Sequence, residues 1–407
     1  MFPVLPYELN QTIIDYFYHD KSSLLRICLV CRQAVPLARR HLFYRLHGRF
    51  KREKPAEPGE LRIATEGSDI EEESLSRLHL VVRGTLKVGE FVRSLSLENP
   101  SYTWFKDSAT LLQRVFPSLR EVRISNASWN IVPYHQSTAY YYRSKMTAGS
   151  RLKGVRSVVM IGFIWCDVEQ IERFMFMFPD CDALTLKRSV VGSQQVTLVH
   201  GLKIPSLRTL FLEETDTAIV LKWIHLKSNP LRLTTLTVRK LGLQESIILG
   251  EILKSAGGSL YYLDMGFKVD GETMRYAAKV DLSRNTELRT LVFDDWSLSA
   301  WVPREWSLTI LRTIRSKRFA TLCFKYRVGN PVLLPLSETA AFLNNLPFPE
   351  IKTVQFINRQ PYCDVERERS ELINRLPGLM VNDVFQHFAE PEHLETGFFY
   401  DRYYLDK

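Results

Sequence analysis

No run in this sequence approaches ~18 uninterrupted apolar residues, which excludes an obvious membrane-spanning helix. The opening, MFPVLPYELNQ, lacks a basic segment followed by an apolar one, so no secretory signal is read there. Cysteine is scarce. Cys28, Cys31, Cys166, Cys181, Cys323 and Cys363 are scattered through 407 residues. Such spacing suits reduced thiols in a cell interior better than a disulfide framework. The expected location is therefore intracellular, in cytoplasm or nucleus, where the sequons at Asn10 and Asn126 carry no weight.

Catalytic signatures are missing as well. The chain has no G-x-x-x-x-G-K-[ST], no G-x-G-x-x-G, no H-E-x-x-H and no G-x-S-x-G. Cys28 and Cys31 with His41 and His47 resemble a zinc finger only briefly. Nine residues separate Cys31 from His41, where a finger has about twelve, and both cysteines sit in a helical apolar pattern. The paired glycines Gly257 and Gly258 read as a helix stop. Asp294 and Asp295, beside Trp296, read as a turn or a patch on a binding face rather than a metal pair. No catalytic residue, metal ligand or cofactor site is expected, and hence no enzyme. Net charge is +9, but the Lys and Arg are spread thinly and interrupted by acids. Without a dense basic block and interleaved aromatics, neither nucleic acid nor membrane is an expected partner.

What is present is a repeat. Apolar residues spaced i, i+3, i+5 return in FVRSLSL (91–97), SLREVRI (118–124), GVRSVVM (154–160) and CDALTL (181–186). They continue in SLRTLFL (206–212), RLTTLTV (232–238), SLYYLDM (259–265), ELRTLVF (287–293), RFATLCF (318–324) and EIKTVQF (350–356). The first positions are 92, 119, 155, 181, 207, 233, 260, 288, 319 and 351. Successive steps are therefore 27, 36, 26, 26, 26, 27, 28, 31 and 32 residues. The last two apolar residues of each triplet alternate with a polar one, as in a strand with one buried face.

Helical patterns fall between the strands. Val168, Ile171, Met175 and Phe178 share one face, as do Ile248, Leu249, Ile252 and Leu253, and as do Ile219, Trp223 and Leu226. One strand and one helix per ~26 residues cannot bury their apolar sides alone, so neighbouring units must stack. The triplet Leu207, Leu210, Leu212 is plainly L-x-x-L-x-L, and the array resembles the leucine-rich repeats. It departs from them in lacking a consistent Asn or Cys after the strand. The fold class that this implies is α/β: an irregular solenoid with parallel strands on the concave side and helices on the convex side.

The first ~45 residues carry a second pattern. Leu9, Ile13 and Phe17 recur at helical spacing. Ser22 or Ser23 can cap a second helix with Leu24, Leu25, Cys28 and Leu29, and Pro36 suits the first turn of a third with Leu37, Ala38 and Leu42. Three such helices make too small a core to stand comfortably alone. Residues 4–46 resemble the F-box, through Leu5-Pro6-x-Glu8-Leu9, the Ile13 helix, SLLRICLVCR and Ala38-Arg39-Arg40-x-Leu42-Phe43. The match departs at Gln33-Ala34-Val35, where many F-boxes have an aromatic residue.

An F-box followed by irregular leucine-rich repeats is similar to the large set of fungal F-box proteins. The resemblance implies four segments: an F-box (1–48), a charged linker or loop (49–74), the solenoid (75–376) and a C-terminal tail or cap (377–407). It further implies a substrate-recognition subunit of a Skp–cullin–F-box ubiquitin ligase, with a Skp adaptor, through it a cullin, and an unknown protein substrate as partners. Leu5, Pro6, Leu9, Ile13, Leu24, Leu25 and Val30 would meet the adaptor, alone or while also packing the small core. The alternative is an interaction scaffold acting outside ubiquitin transfer. On the strand face, residues alternating with the buried pairs would meet the target: Lys187, Phe211, Glu213, Arg239, Tyr262, Asp264, Asp294 and Lys325. Phe211 and Tyr262 are expected to be exposed there, unless the aromatic tail FFYDRYYLDK (398–407) covers that face.

Overall fold

Alternation with period two is what extended backbone imposes on residues such as Leu184, Thr185 and Leu186. The computed structural model describes residues 7–17, 20–30, 34–49, 88–100, 102–127, 151–165, 167–192, 205–227, 231–268, 272–294, 306–327, 341, 351–360, 364–377 and 385–389. It forms a strand at every apolar triplet, and every triplet residue except Ile351 is buried. These strands are β2 (Ser94–Glu98), β3 (Glu121–Ser125), β4 (Ser157–Ile161), β6 (Ala183–Lys187), β8 (Thr209–Glu213), β9 (Thr235–Leu241), β10 (Tyr262–Phe267), β11 (Thr290–Phe293), β12 (Thr321–Tyr326) and β13 (Thr353–Asn358). Four others were not anticipated: β1 (Arg45–Arg49), β5 (Ile164–Trp165), β7 (Val190–Val191) and β14 (Phe385–Ala389).

The chain divides into two compact units, residues 1–205 and 206–407. In the first, β1, β2, β3, β4 and β6 lie side by side and parallel, while β5 pairs with β7 separately. In the second, β8 to β14 lie side by side in chain order, each parallel to the next. Part of the expected tail is thus a strand, because Phe385–Ala389 pairs with β13 from Val354 onward. The linker expected at 49–74 and the aromatic end at 398–407 fall outside the described residues, apart from Arg49 at the end of β1.

Parallel neighbours require a crossover, and helices provide several of them. They run Tyr102–Val115, Val168–Met175, Thr217–Lys227, Leu243–Ala256, Thr273–Ala277, Trp306–Leu311 and Val365–Arg375. Asp167 caps the second of these by accepting from the Gln170 N–H at 2.9 Å. In Thr217–Lys227 the buried side is Ile219, Val220, Leu221, Trp223 and Ile224, and Leu226 is exposed, contrary to its expected inward place. The helix is apolar almost all round its first two turns, so periodicity alone could not orient its last one.

One hydrogen-bond device leads into the strands. The carbonyl just before a strand accepts the two N–H groups that open the next: Arg93 from Arg120 and Glu121 (2.7 and 2.9 Å), Arg289 from Ala320 and Thr321 (both 2.9 Å). This holds register, so that triplets stack on triplets. Past the strands, Asn99, Asn126, Gly162, Arg188 and Glu214 all have positive φ, as does Lys240 near the end of β9. The Asn99, Asn126 and Gly162 N–H groups donate across to the neighbouring strand at 2.8–2.9 Å, which offsets the cost of the left-handed turn. The same turn therefore recurs with different residues in it, which is why no consistent residue marked it in the sequence.

Aromatic rings fill the layer behind the strands. Phe174 lies against Phe105, Trp165 and Phe178 at centroid distances of 5.8, 6.0 and 5.0 Å. In the second unit Phe293, Phe324 and Phe356, each the last of its triplet, form a column with 5.6 and 5.3 Å steps. Asn285, fully buried, donates to the Leu253 and Gly257 carbonyls and so satisfies the C-terminal end of helix Leu243–Ala256.

The N-terminal helices are α1 (Tyr7–Tyr16), α2 (Lys21–Val30) and α3 (Val35–Leu42). Their core is Ile14, Leu24, Ala34, Leu37 and Ala38, with Phe17, Ile27, Cys28 and Leu42 packed around it. Pro36 sits in the first turn of α3. Asp20, not Ser22 or Ser23, caps α2: its carboxylate accepts from both serine N–H groups at 3.1 Å and from both hydroxyls at 2.7 and 2.6 Å. Those hydroxyl bonds hold the Asp20 carboxyl below the usual range.

Gly250 stands inside helix Leu243–Ala256, where alanine would ordinarily stabilise by about 1 kcal/mol. A Cβ there would lie 2.5 Å from the Lys279 carbonyl oxygen. Gly250→Ala is accordingly expected to lower stability, by about 1–3 kcal/mol. Urea unfolding checks the sign.

Candidate functional site

Two surfaces carry the expected site residues, one on α1 and α2 and one on the strands of the second unit. On the helices, Leu9, Ile13 and Tyr16 follow each other at i, i+4, i+7, and Leu25 and Leu29 at i, i+4. All five are exposed, Tyr16 at 83% and Leu29 at 86%. Five apolar side chains this open on two short helices are unusual for a solvated surface. Leu9, Ile13 and Leu25, named in the sequence as adaptor-facing, are thus exposed. Leu24 does not: fully buried beside Ile14 and Leu37, it packs the core and offers nothing to a partner. Leu5 and Pro6 lie outside the described residues, as does the Val30 side chain. Tyr16 and Leu29 were missed because Phe17, one residue on, has the more apolar ring. Phe17 packs against the core instead. His41 Nε2 lies 2.7 Å from Asp15 Oδ1 and ties α3 to α1.

On the strands, side chains alternating with the buried pairs gather into a network of charges. Arg239 reaches Glu213 Oε1 at 2.5 Å, Asp264 Oδ2 at 3.3 Å and Asp294 Oδ2 at 3.0 Å. Lys325 Nζ donates to Asp264 Oδ2 at 3.1 Å, and Arg359 pairs with Asp294 Oδ1. Three of these links skip a strand: Arg239 crosses β10, Lys325 crosses β11 and Arg359 crosses β12. Only long cationic side chains bridge two strand spacings of about 4.8 Å each.

Gly266 makes the first crossing possible. It occupies the place on β10 that Arg239 takes on β9, and the ladder shifts register between Met265 and Phe267. A Cβ at Gly266 would lie 2.7 Å from the Asp294 carbonyl oxygen. Register also corrects the expected rows. Asp264 lines up with Thr237, and through it with Phe211, rather than with Glu213. Gly266 and Arg359 escaped sequence reasoning because neither fits the alternation of charged positions.

This face is not the open surface the sequence suggested. Asp264 is 0% exposed and Arg239 5%, and Phe211 and Tyr262 are buried too. Tyr262, Val292 and Cys323 form a small apolar cluster, with Ile357 against it. The Arg239 guanidinium also lies over the Phe211 ring at 5.4 Å. Lys187, on the first unit, is half-buried at the end of β6.

Ionisation follows from this packing. Burial pushes the Asp264 carboxyl up most strongly, yet Lys325 and Arg239 outweigh it, and the net shift is downward. Asp294 moves the other way. Burial and then the Asp264 charge push it up to about 6, against the pull of Arg239 and Arg359. Burial also pushes the Cys181 and Cys323 thiols up to about 12, so neither supplies a thiolate. Cys28, Cys181 and Cys323 are free thiols. Among the described residues no three of His, Cys, Asp or Glu gather to hold a metal, and no helix is long and apolar enough to cross a membrane. No protein-family model matches the chain, and no curated protein matches its sequence.

Arg239 touches three carboxylates, so Arg239→Met leaves Asp264 and Asp294 buried with one cation each, Lys325 and Arg359, and Glu213 without this partner. A loss of about 3–5 kcal/mol in urea unfolding is expected. Asp294 yields a pH signature. Its carboxyl binds a proton more tightly folded than unfolded, so its contribution is full below about pH 4 and is lost as pH rises through about 6. Asp264 acts oppositely, its contribution being lost as pH falls. Asp294→Asn should flatten the pH 4–6 stretch of the stability curve relative to the parent, and thermal unfolding across that range tests it.

Proposed function

We propose that the chain is the substrate-recognition subunit of a Skp–cullin–F-box ubiquitin ligase, with α1–α3 as the F-box and the parallel strand–helix array as an irregular leucine-rich-repeat solenoid. The observation that carries this reading is the division of labour in the three helices. Ile14, Leu24, Leu37 and Ala38 fill the interior, which leaves Leu9, Ile13, Tyr16, Leu25 and Leu29 outside as a ready apolar face. Burying it against an adaptor stabilises both, at about 25 cal/mol per Å² of apolar surface removed from water.

The chain then contributes proximity rather than chemistry. One region grips the adaptor and another a target, and the target's lysines are raised in effective concentration near a charged conjugating enzyme. The buried charge network stiffens the strand array without supplying a nucleophile, general base or metal site. Target contacts fall on the parts of the array that remain exposed.

Ile13→Asp with Leu25→Asp places two charges on the apolar face and leaves the Ile14–Leu24 core untouched. Capture of a purified Skp adaptor should weaken at least about a hundredfold, since several desolvated contacts are lost together. Thermal unfolding should stay close to the parent's. Unchanged capture in a folded variant would defeat the F-box reading.

A further inference from the structure

The second unit is electrically lopsided along its strands. Cations recur among the exposed side chains where the strands begin, except before β10, where Tyr261 stands. Arg208 precedes β8, Arg232 leads to β9, Arg289 precedes β11, Lys317 and Arg318 lead to β12 and Lys352 precedes β13. Among the described lead-in residues the acid is Glu287, which pairs with Arg318. The opposite ends of the same strands carry both signs: Glu213, Glu214 and Asp294 are paired with Arg239, Lys240 and Arg359, and Arg327 follows β12. Arg208, Arg232, Lys317 and Lys352 make no ion pair among the described residues.

Helix dipoles do not account for this rim. A helix C-terminus favours cations within its last turn only. Lys254 qualifies, in the last turn of Leu243–Ala256. Lys317 and Arg318 lie well beyond the end of Trp306–Leu311, and Arg208, Arg289 and Lys352 immediately adjoin strands. Adjacent strands are about 4.8 Å apart, so from β8 to β13 the row extends about 24 Å. Cations gathered along one edge cost the folded state some self-repulsion, which a bound anion removes.

We infer that this rim binds an extended acidic segment of a protein. About seven residues of extended chain cover that length, and their alternate side chains face one way. Nucleic acid fits less well. The rim's exposed aromatic residue, Tyr261, has the Arg289 guanidinium over its ring at 5.3 Å, so it offers no stacking platform for bases. The inference deepens the proposed function by naming the target's chemistry. It rests on that reading only for what the capture is used for, since rim and adaptor face share no residue.

The test uses the full chain and a fluorescent peptide of about twelve alternating Glu and Ser residues, whose carboxylates line one side when it is extended. Anisotropy should report saturable binding that weakens as salt rises past about 0.1 M. The triple reversal Arg289→Glu, Lys317→Glu, Lys352→Glu should weaken it at least about tenfold. Lys222→Glu, on the exposed side of helix Thr217–Lys227, should change it by less than about twofold. The inference is overturned by absence of binding at about 100 µM protein, by equal effects of the two variants, or by oligo-dT of matching charge binding about tenfold tighter than the peptide. Adaptor capture measured on the same preparations separates the two readings: rim binding lost with capture intact removes this inference alone, and the reverse removes only the F-box.

Discussion

The apolar triplet is the constraint on which the remaining structure depends. Three buried side chains at i, i+3, i+5 make a strand that is stable only beside another carrying the same three. Because neighbours are parallel, each unit must return its chain to the same starting edge before the next strand begins. The bifurcated carbonyl that precedes most of the strands and the left-handed turn after β2, β3, β4, β6 and β8 follow from that requirement. Both fix the point at which the chain enters and leaves the layer. With register fixed, the aromatic column Phe293, Phe324, Phe356 stacks without further specification.

Register also determines what happens on the other face. Arg239 lies in the row of Asp294 across Gly266, while Lys325 and Arg359 each reach diagonally, since the row of Asp264 runs to Cys323 and that of Asp294 to Ile357. Three cations and three carboxylates close into a network that is formally neutral. Ion pairs of this kind are weak sources of stability compared with apolar packing, but breaking one is costly. Such a network is better suited to penalising misregistered strands than to adding net stability. A slip of one residue would turn every charged group toward the aromatic layer.

The N-terminal helices obey the opposite economy. With a core of five small or medium side chains, they have too little interior to bury all their apolar residues. What remains outside follows helical spacing on each of α1 and α2, and these exposed apolar residues are what supports the adaptor reading. The strand array and the helices thus use apolar surface differently: the first consumes nearly all of its own, and the second keeps some in reserve.

Much of the fold was legible because triplet spacing is a one-dimensional property. Every triplet became a strand, and the helices at 167–178, 217–226 and 245–258 were visible from their periods. Strands β1 and β14 were not, since Arg45–Arg49 and Phe385–Ala389 carry no triplet and acquire strand form from the neighbour they pair with. Exposure was the least legible property. Leu9 and Leu24 look alike in sequence, and only the packing of the three helices separates the exposed residue from the core one. Phe211, Tyr262 and Asp264 alternate with buried residues, so sequence assigned them to an open face, while tertiary structure closed that face over them. The sequence by itself determined the period and therefore the elements, because local spacing sets which side of a strand or helix is apolar. Which charges meet, and which surfaces stay open, depends on residues dozens of positions apart, and only the assembled sheet could decide it.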